Sequence, residues 1–148
     1  MRNYENHLPE ITLKLTPGTM LKKQIKNSND CVAIFREVFD DTIELYESMF
    51  AVYLNRTNKT IGWIKISQGG LSGTVIDNRI ILKAAIESLA CGIIICHNHP
   101  SGNKTPSNAD LNITKKLSEA CKILDVNLID HIILTNDSYL SFADEGLI

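Results

Sequence analysis

The chain has 148 residues, 44% of them apolar and 22% charged, with a net charge of −2. That length favours one domain with a core of its own. The charge argues against the basic footprint of a protein that binds nucleic-acid backbones generally, although a local basic patch stays open.

No apolar run is long enough to span a membrane, and none follows the basic start as a secretory signal would. The cysteines Cys31, Cys91, Cys96 and Cys121 form no CxxC pair and read as small core residues in a reducing cytoplasm.

Residues 1–27 are expected to form a strand-containing extension, and 28–148 the domain. Ile11 to Leu15 alternates apolar and polar residues before Pro17-Gly18, which predicts a short strand to which another chain could pair. Asn27-Ser28-Asn29-Asp30 is capping chemistry ahead of a helix that carries Val32, Phe35, Val38 and Phe39. Ser48–Leu54 and Thr60–Ser67 predict a hairpin, and Gly69-Gly70 and Gly73 a bend. Asp77-Asn78 starts a second helix with Ile81, Ala84, Ala85 and Leu89 at helical spacing, ended by Gly92.

Ile93 to Cys96 runs apolar without alternation, as a strand buried on both faces does. A loop over His97 to Thr105 leads to a third helix at Ser107, with Ile113, Leu117, Ala120, Cys121 and Leu124 on one stripe. Val126–Leu134 and Tyr139–Phe142 are the last strands. Strands alternating with helices around a central apolar strand predict an α/β sandwich: a mixed sheet flanked by helices.

The segment His97-Asn98-His99-Pro100-Ser101-Gly102, followed by Pro106-Ser107-Asn108-Ala109-Asp110, carries the chemistry. Two residues two apart on extended backbone point the same way, so His97 and His99 can converge at a strand end. Asp110 falls in the first turn of the third helix, where a carboxylate is favoured. Two imidazoles, one carboxylate and an open position suit a catalytic zinc, although manganese or iron accept the same ligands. Each part has a plainer explanation. HxH alone can be a loop feature, and Ser107-x-x-Asp110 is a capping box that needs no metal.

The whole pattern resembles the JAMM (MPN+, JAB-like) metalloprotease motif, a glutamate upstream followed by HxH and SxxD. More closely, the chain is similar to the RadC-type DNA repair protein family, whose JAMM-like domain carries HNHPSG and then PSxxD. Glu47-Ser48-Met49-Phe50-Ala51-Val52-Tyr53-Leu54-Asn55, Ser67-Gln68-Gly69-Gly70 with Gly73-Thr74, Asp130-His131-Ile132-Ile133 and Ser141-Phe142-Ala143-Asp144-Glu145-Gly146-Leu147 resemble further family segments. The resemblance covers roughly residues 35–148.

It implies a JAMM/MPN-like (cytidine-deaminase-like) sandwich, with His97, His99 and Asp110 as ligands of Zn2+. It also implies Glu47 as the group that takes a proton from the attacking water, and Ser107 as an oxyanion donor. From the residues alone, nothing in the spacing selects Glu47 among eight glutamates, and Glu44 is the second choice. Ser107 is equally an N-cap serine.

Cys96 adjoins His97 but points to the opposite face of a strand, as a core cysteine does. Asp130-His131 reads as structural, with support of a metal-bound histidine as the alternative. The zinc deaminase pattern of HxE with a later PCxxC is absent.

Full-length RadC-type proteins usually carry an N-terminal helix-hairpin-helix domain, for which residues 1–30 leave no room. The leading expectation is therefore a zinc-dependent hydrolase that cleaves a peptide or isopeptide bond in a peptide or protein substrate. The alternative is a DNA-repair-associated protein, either a metal-dependent nuclease or an accessory factor, with no support from charge. A metal-binding interaction module with little turnover is the third reading.

Overall fold

One mixed sheet of five strands, in the order β2-β1-β3-β4-β5, organises the chain. The strands are β1 (Ser48–Leu54), β2 (Thr60–Gln68), β3 (Gly92–Asn98), β4 (Asn127–Leu134) and β5 (Tyr139–Ser141). The helices are α1 (Ser28–Val38), α2 (Asn78–Glu87) and α3 (Asn108–Ile123). The structure, a computed structural model, describes residues 8–39, 41–69 and 75–148. Gly70 and Gly73 of the expected bend lie outside the described residues. No helix among the described residues is long and apolar enough to cross a membrane.

The central strand β3 is antiparallel to β1 and parallel to β4. It is buried along its whole length, as its unbroken apolar run requires when both faces of a sheet are covered. On one face Ile93 and Ile95 pack with Ile81 and Ala85 of α2 and Leu117 and Cys121 of α3. On the other, Ile94 and Cys96 pack with Ile34 and Phe35 of α1. Fully burying each isoleucine contributes roughly 1.5–3 kcal/mol. The result is helix, sheet, helix pair: the α/β sandwich expected from the sequence.

The caps are local. Asn27 accepts from the amide of Asp30, Asp77 from that of Arg79, and Ser107 from that of Asp110.

Four expectations need correction. Ile11–Leu15 is not a strand: it runs as irregular backbone with Ile11 79% exposed, because its alternation has no sheet to bury one face against. The packed unit also takes in residues before Ser28, since Ile25 is buried in the α1-side core and the Lys23 amide donates to Thr60 Oγ1. His97 and Asn98 belong to β3 rather than to the loop.

Gly92 does not end α2 but opens β3. A Cβ there would meet Ile129 Cγ1 at 3.2 Å and Leu54 Cβ at 3.4 Å, so the glycine answers a close approach of neighbouring strands. The helix ends earlier, at Leu89, which stands at φ 54° and is 83% exposed. The Ala90 amide bonds Ala85 O and the Leu89 amide bonds Ile86 O, a Schellman closure with leucine where glycine is usual. Asp125, also at φ 54°, closes α3 in the same way.

Left-handed backbone costs a non-glycine residue about 1–2 kcal/mol. Leu89→Gly is therefore expected to raise the thermal midpoint by about 2–4 °C, read by calorimetry. A lower midpoint would mean that the leucine side chain contributes more than its backbone strain costs.

Candidate metal centre

Alternation along the end of β3 sorts three consecutive residues. His97 continues the Ile93 and Ile95 side, toward α3. Asn98 continues the Ile94 and Cys96 side, toward α1. His99 returns to the first side. Asp110 reaches the same place from the first turn of α3, where it is buried.

His97 Nε2 and His99 Nε2 are 2.9 Å apart. Asp110 Oδ1 is 3.2 Å from His97 Nε2, and Asp110 Oδ2 is 3.5 Å from His99 Nε2. Glu47, immediately before β1, brings a carboxylate oxygen to the same point. Donor atoms of Glu47, His97 and His99 all lie within 4.8 Å of one another, so these residues are positioned to hold a metal ion. Four donors bound tetrahedrally at about 2.0–2.1 Å would stand roughly 3.3 Å apart. The spacings among His97, His99 and Asp110 match that edge, so the donor set fits a small borderline cation.

The electrostatics keep Asp110 ionised. Burial works against its charge, but hydrogen bonds from both histidines and the Ser107 amide outweigh it and hold the carboxyl well below its usual range. The Asp110 carboxylate in turn pushes the His99 pKa up, partly opposed by burial.

His131 supports His97. It is fully buried, and its Nε2 is 2.7 Å from His97 Nδ1, while its Nδ1 is 2.6 Å from Thr114 Oγ1. Thr114 Oγ1 donates its one proton to Asp110 O at 2.6 Å, so it must accept from His131. Burial depresses the His131 pKa and keeps the ring neutral, with its single proton on Nδ1. Nε2 then accepts from His97 Nδ1–H, which turns His97 Nε2 toward Asp110 and the site. His99 is set likewise, because its Nδ1 is 2.6 Å from the Asn103 carbonyl and can only donate there. These proton positions follow from bonding capacity.

A bulge in β4 makes the chain possible. Ile93 pairs with Leu128 and Ile94 with Asp130, so Ile129 is passed over and the residues after it are turned to the opposite faces. His131 thereby faces α3, and its ring stacks on Phe142 at 4.4 Å. The sequence reading weighted His131 as structural. The HxH signal points only to the histidines themselves, and a third ring 34 residues after His97, on the next strand, carries no spacing cue.

Asp130 does not touch the His131 ring. It accepts from the Ser141 hydroxyl and from the Ala143 and His131 amides, pinning the C-terminal segment, and burial raises its pKa.

Thr114→Val keeps the shape and removes this relay. It is expected to cost about 1–3 kcal/mol for the orphaned His131 N–H. It should also weaken zinc binding by about tenfold through the lost orientation, measured by competition with a chromophoric chelator. Wild-type affinity in a folded variant would show that the relay does not orient His97.

Ser107 caps α3 through its side chain, while its amide donates to Asp110 Oδ2 at 2.7 Å. The Ser107 hydroxyl accepts from the Asp110 amide, so its own proton is left for another partner. Glu44 is exposed. Cys96 lies in the α1-side core with its thiol pushed up by burial, away from the metal-side face.

A cavity of about 430 Å³ flanks α3, lined by Ile76, Asn78, Ala109, Ile113 and Lys116 among others. Among the described residues, the buried Asn78 Oδ1 atom there has no hydrogen-bond partner. Sequence reading did not find this cavity, since it exists only where the starts of α2 and α3 meet.

Residues 25–147 match the family model described as RadC-like JAB domain. Curated proteins named UPF0758 protein are similar over most of the chain. That of Flavobacterium johnsoniae is 42% identical over 125 residues, covering 84% of this chain and 54% of its own. That of Aquifex aeolicus is 38% identical over 131 residues, covering 88% of this chain and 55% of its own. The chain spans about half the length of these relatives. With the family model covering nearly the whole domain, the chain belongs to the RadC-like JAB domain family.

Proposed function

We propose that this chain is a zinc-dependent hydrolase that cleaves a peptide or isopeptide bond in a protein or peptide substrate. The observation that carries this reading is the meeting of His97, His99 and Asp110 at 2.9–3.5 Å, with the Glu47 carboxylate beside them. His97, His99 and Asp110 would hold the ion. A zinc ion held there would act as a Lewis acid and would make a water acidic enough to attack near neutral pH.

The protein residues supply the rest. The Glu47 carboxylate takes the proton of the attacking water and returns it to the leaving amine. The Ser107 hydroxyl, whose proton is not used in the cap, donates to the oxygen that gains charge. The relay through His131 and Thr114 holds the His97 ring so that Nε2 faces the position of the ion.

Asp110 is taken as the third ligand because its carboxylate touches both histidines and both of its oxygens are occupied there or by the Ser107 amide. The cavity beside α3 has mixed walls and a buried Asn78 acceptor with no partner among the described residues, which suits an extended peptide that offers main-chain N–H groups. The net charge of −2 provides no footprint for DNA. All four cysteines are free, which suits a reducing compartment, and we place the chain in the cytoplasm.

The test is elemental analysis of the purified protein, followed by cleavage assays on peptide, isopeptide-linked and DNA substrates with and without a chelator. About one zinc per chain and chelator-sensitive peptide cleavage are expected. Absence of metal after zinc is offered would leave an interaction module, and chelator-sensitive DNA cleavage alone would move the substrate to nucleic acid.

A further inference from the structure

The geometry points to Asn98, the residue between the two histidines, as the positioning residue that holds Glu47 over the metal centre. This rests on the reading of Glu47 as the proton acceptor. Asn98 is fully buried on the α1 side of β3. Its Nδ2 donates to Ile43 O at 2.6 Å and to Tyr46 O at 2.7 Å, and its Oδ1 accepts from the Ser48 amide at 2.8 Å. Two carbonyls and one amide settle which end of the side chain is which, because only the NH₂ group can donate.

The three contacts span residues 43–48 and bracket Glu47 on both sides. Glu47 itself sits in a stretch between the turn at 41–45 and the start of β1, where no helix or strand ladder fixes it. The Gly69 amide donates to Glu47 O at 2.7 Å and ties its backbone from β2's side. The turn before it is closed by the Leu45 and Tyr46 amides on Thr42 O, packs Ile43 on the α1-side core and is joined to β3 by Asn98.

One strand therefore sets both halves of the site. His97 and His99 point to one face and take the ion, and Asn98 points to the other and holds the segment that carries the carboxylate. An error of about an ångström in a proton acceptor is enough to cost much of its effect. The middle residue of this HxH is then not free to vary, for a reason unrelated to metal ligation.

The test compares Asn98→Ser, Glu47→Gln and the double variant in the zinc-loaded chain, with acetohydroxamic acid as the probe. A hydroxamate on zinc gives its hydroxyl proton to a neighbouring carboxylate, so its affinity reads whether Glu47 is in place. Zinc stoichiometry and the thermal midpoint are measured alongside.

Each single variant is expected to keep one zinc and to bind hydroxamate about tenfold more weakly, with no further loss in the double variant. If Asn98→Ser does not fold, Asn98→Asp keeps the size and the acceptor for Ser48 while losing both donations, and the same loss is expected. Full hydroxamate affinity in the Asn98 variant, with Glu47→Gln weakened, would make Asn98 structural only. Losses that multiply in the double variant would mean that the two act independently. Full affinity in zinc-loaded Glu47→Gln would remove Glu47 as proton acceptor and the role of Asn98 with it, leaving the ligand assignment intact.

Discussion

Zinc content is expected to fall from about one per chain in the wild type to none in Asp110→Ala at micromolar concentration. Asp110 is one of three protein ligands in this reading. A zinc site worth on the order of 10 kcal/mol or more loses roughly a third with one of them, or about a hundredfold in affinity at least. The same substitution also removes the carboxylate half of the Ser107 capping box. Helix stability should fall too, by about 0.5–2 kcal/mol.

Asp110→Asn separates the two effects, since a side-chain oxygen can still accept from the Ser107 amide while the charge is gone. Zinc retained in a folded Asp110→Ala would transfer the third ligand to Glu47.

The pH dependence has a definite sign. Asp110 stays ionised throughout the neutral and mildly acid range because the histidines hold its pKa down. His99, whose pKa that carboxylate raises, keeps its proton to a higher pH than an ordinary imidazole. Zinc must displace that proton. Apparent affinity should therefore decline by about tenfold per pH unit below the His99 pKa, and the decline should begin above pH ~6.5. Affinity independent of pH down to 5 would contradict the assignment of His99 as a ligand.

Glu47→Gln is expected to retain one zinc and to lose hydrolysis by about 10²–10⁴-fold, the usual range for a positioned acid–base group. The amide keeps the size and a hydrogen bond but cannot take a proton. The outcome also decides between two roles that the geometry admits, because Glu47 lies within 4.8 Å of both histidine nitrogens. Zinc lost together with activity would make Glu47 a ligand. Full activity would remove it from the chemistry. Zinc kept and activity lost is the result expected of a proton acceptor.

Local chemistry made much of the fold legible. Asn27, Asp77 and Ser107 are short polar residues ahead of amphipathic runs, and each caps the helix that follows. Ser48–Leu54 and Ile93–Cys96 are β-branched or apolar stretches between breakers, and each forms a buried strand. Period-two alternation alone places His97 and His99 on one face and Cys96 on the other. The misreadings occur where a local pattern needed a distant partner. Ile11–Leu15 has the alternation of a strand and no sheet beside it. Leu89 fits the helical spacing of α2 but lies past a closure set by backbone hydrogen bonds, and Gly92 marks the contact of three strands rather than a helix end.

The sequence by itself determined the layered α/β class and the joint presence of two histidines, a capping serine and an aspartate in one strand–loop–helix passage, because these depend on periods of two and 3.6 and on neighbours within a few residues. No spacing could decide which glutamate joins them, and only the resemblance named Glu47, since it is fifty residues from His97 and reaches it through β1 pairing with β3 in the tertiary structure. Only the tertiary structure placed His131 behind His97, because a single passed-over residue, Ile129, turns that ring to the metal side. Pairing register and bulges are properties of two strands at once, and a one-residue slip reverses every side chain that follows.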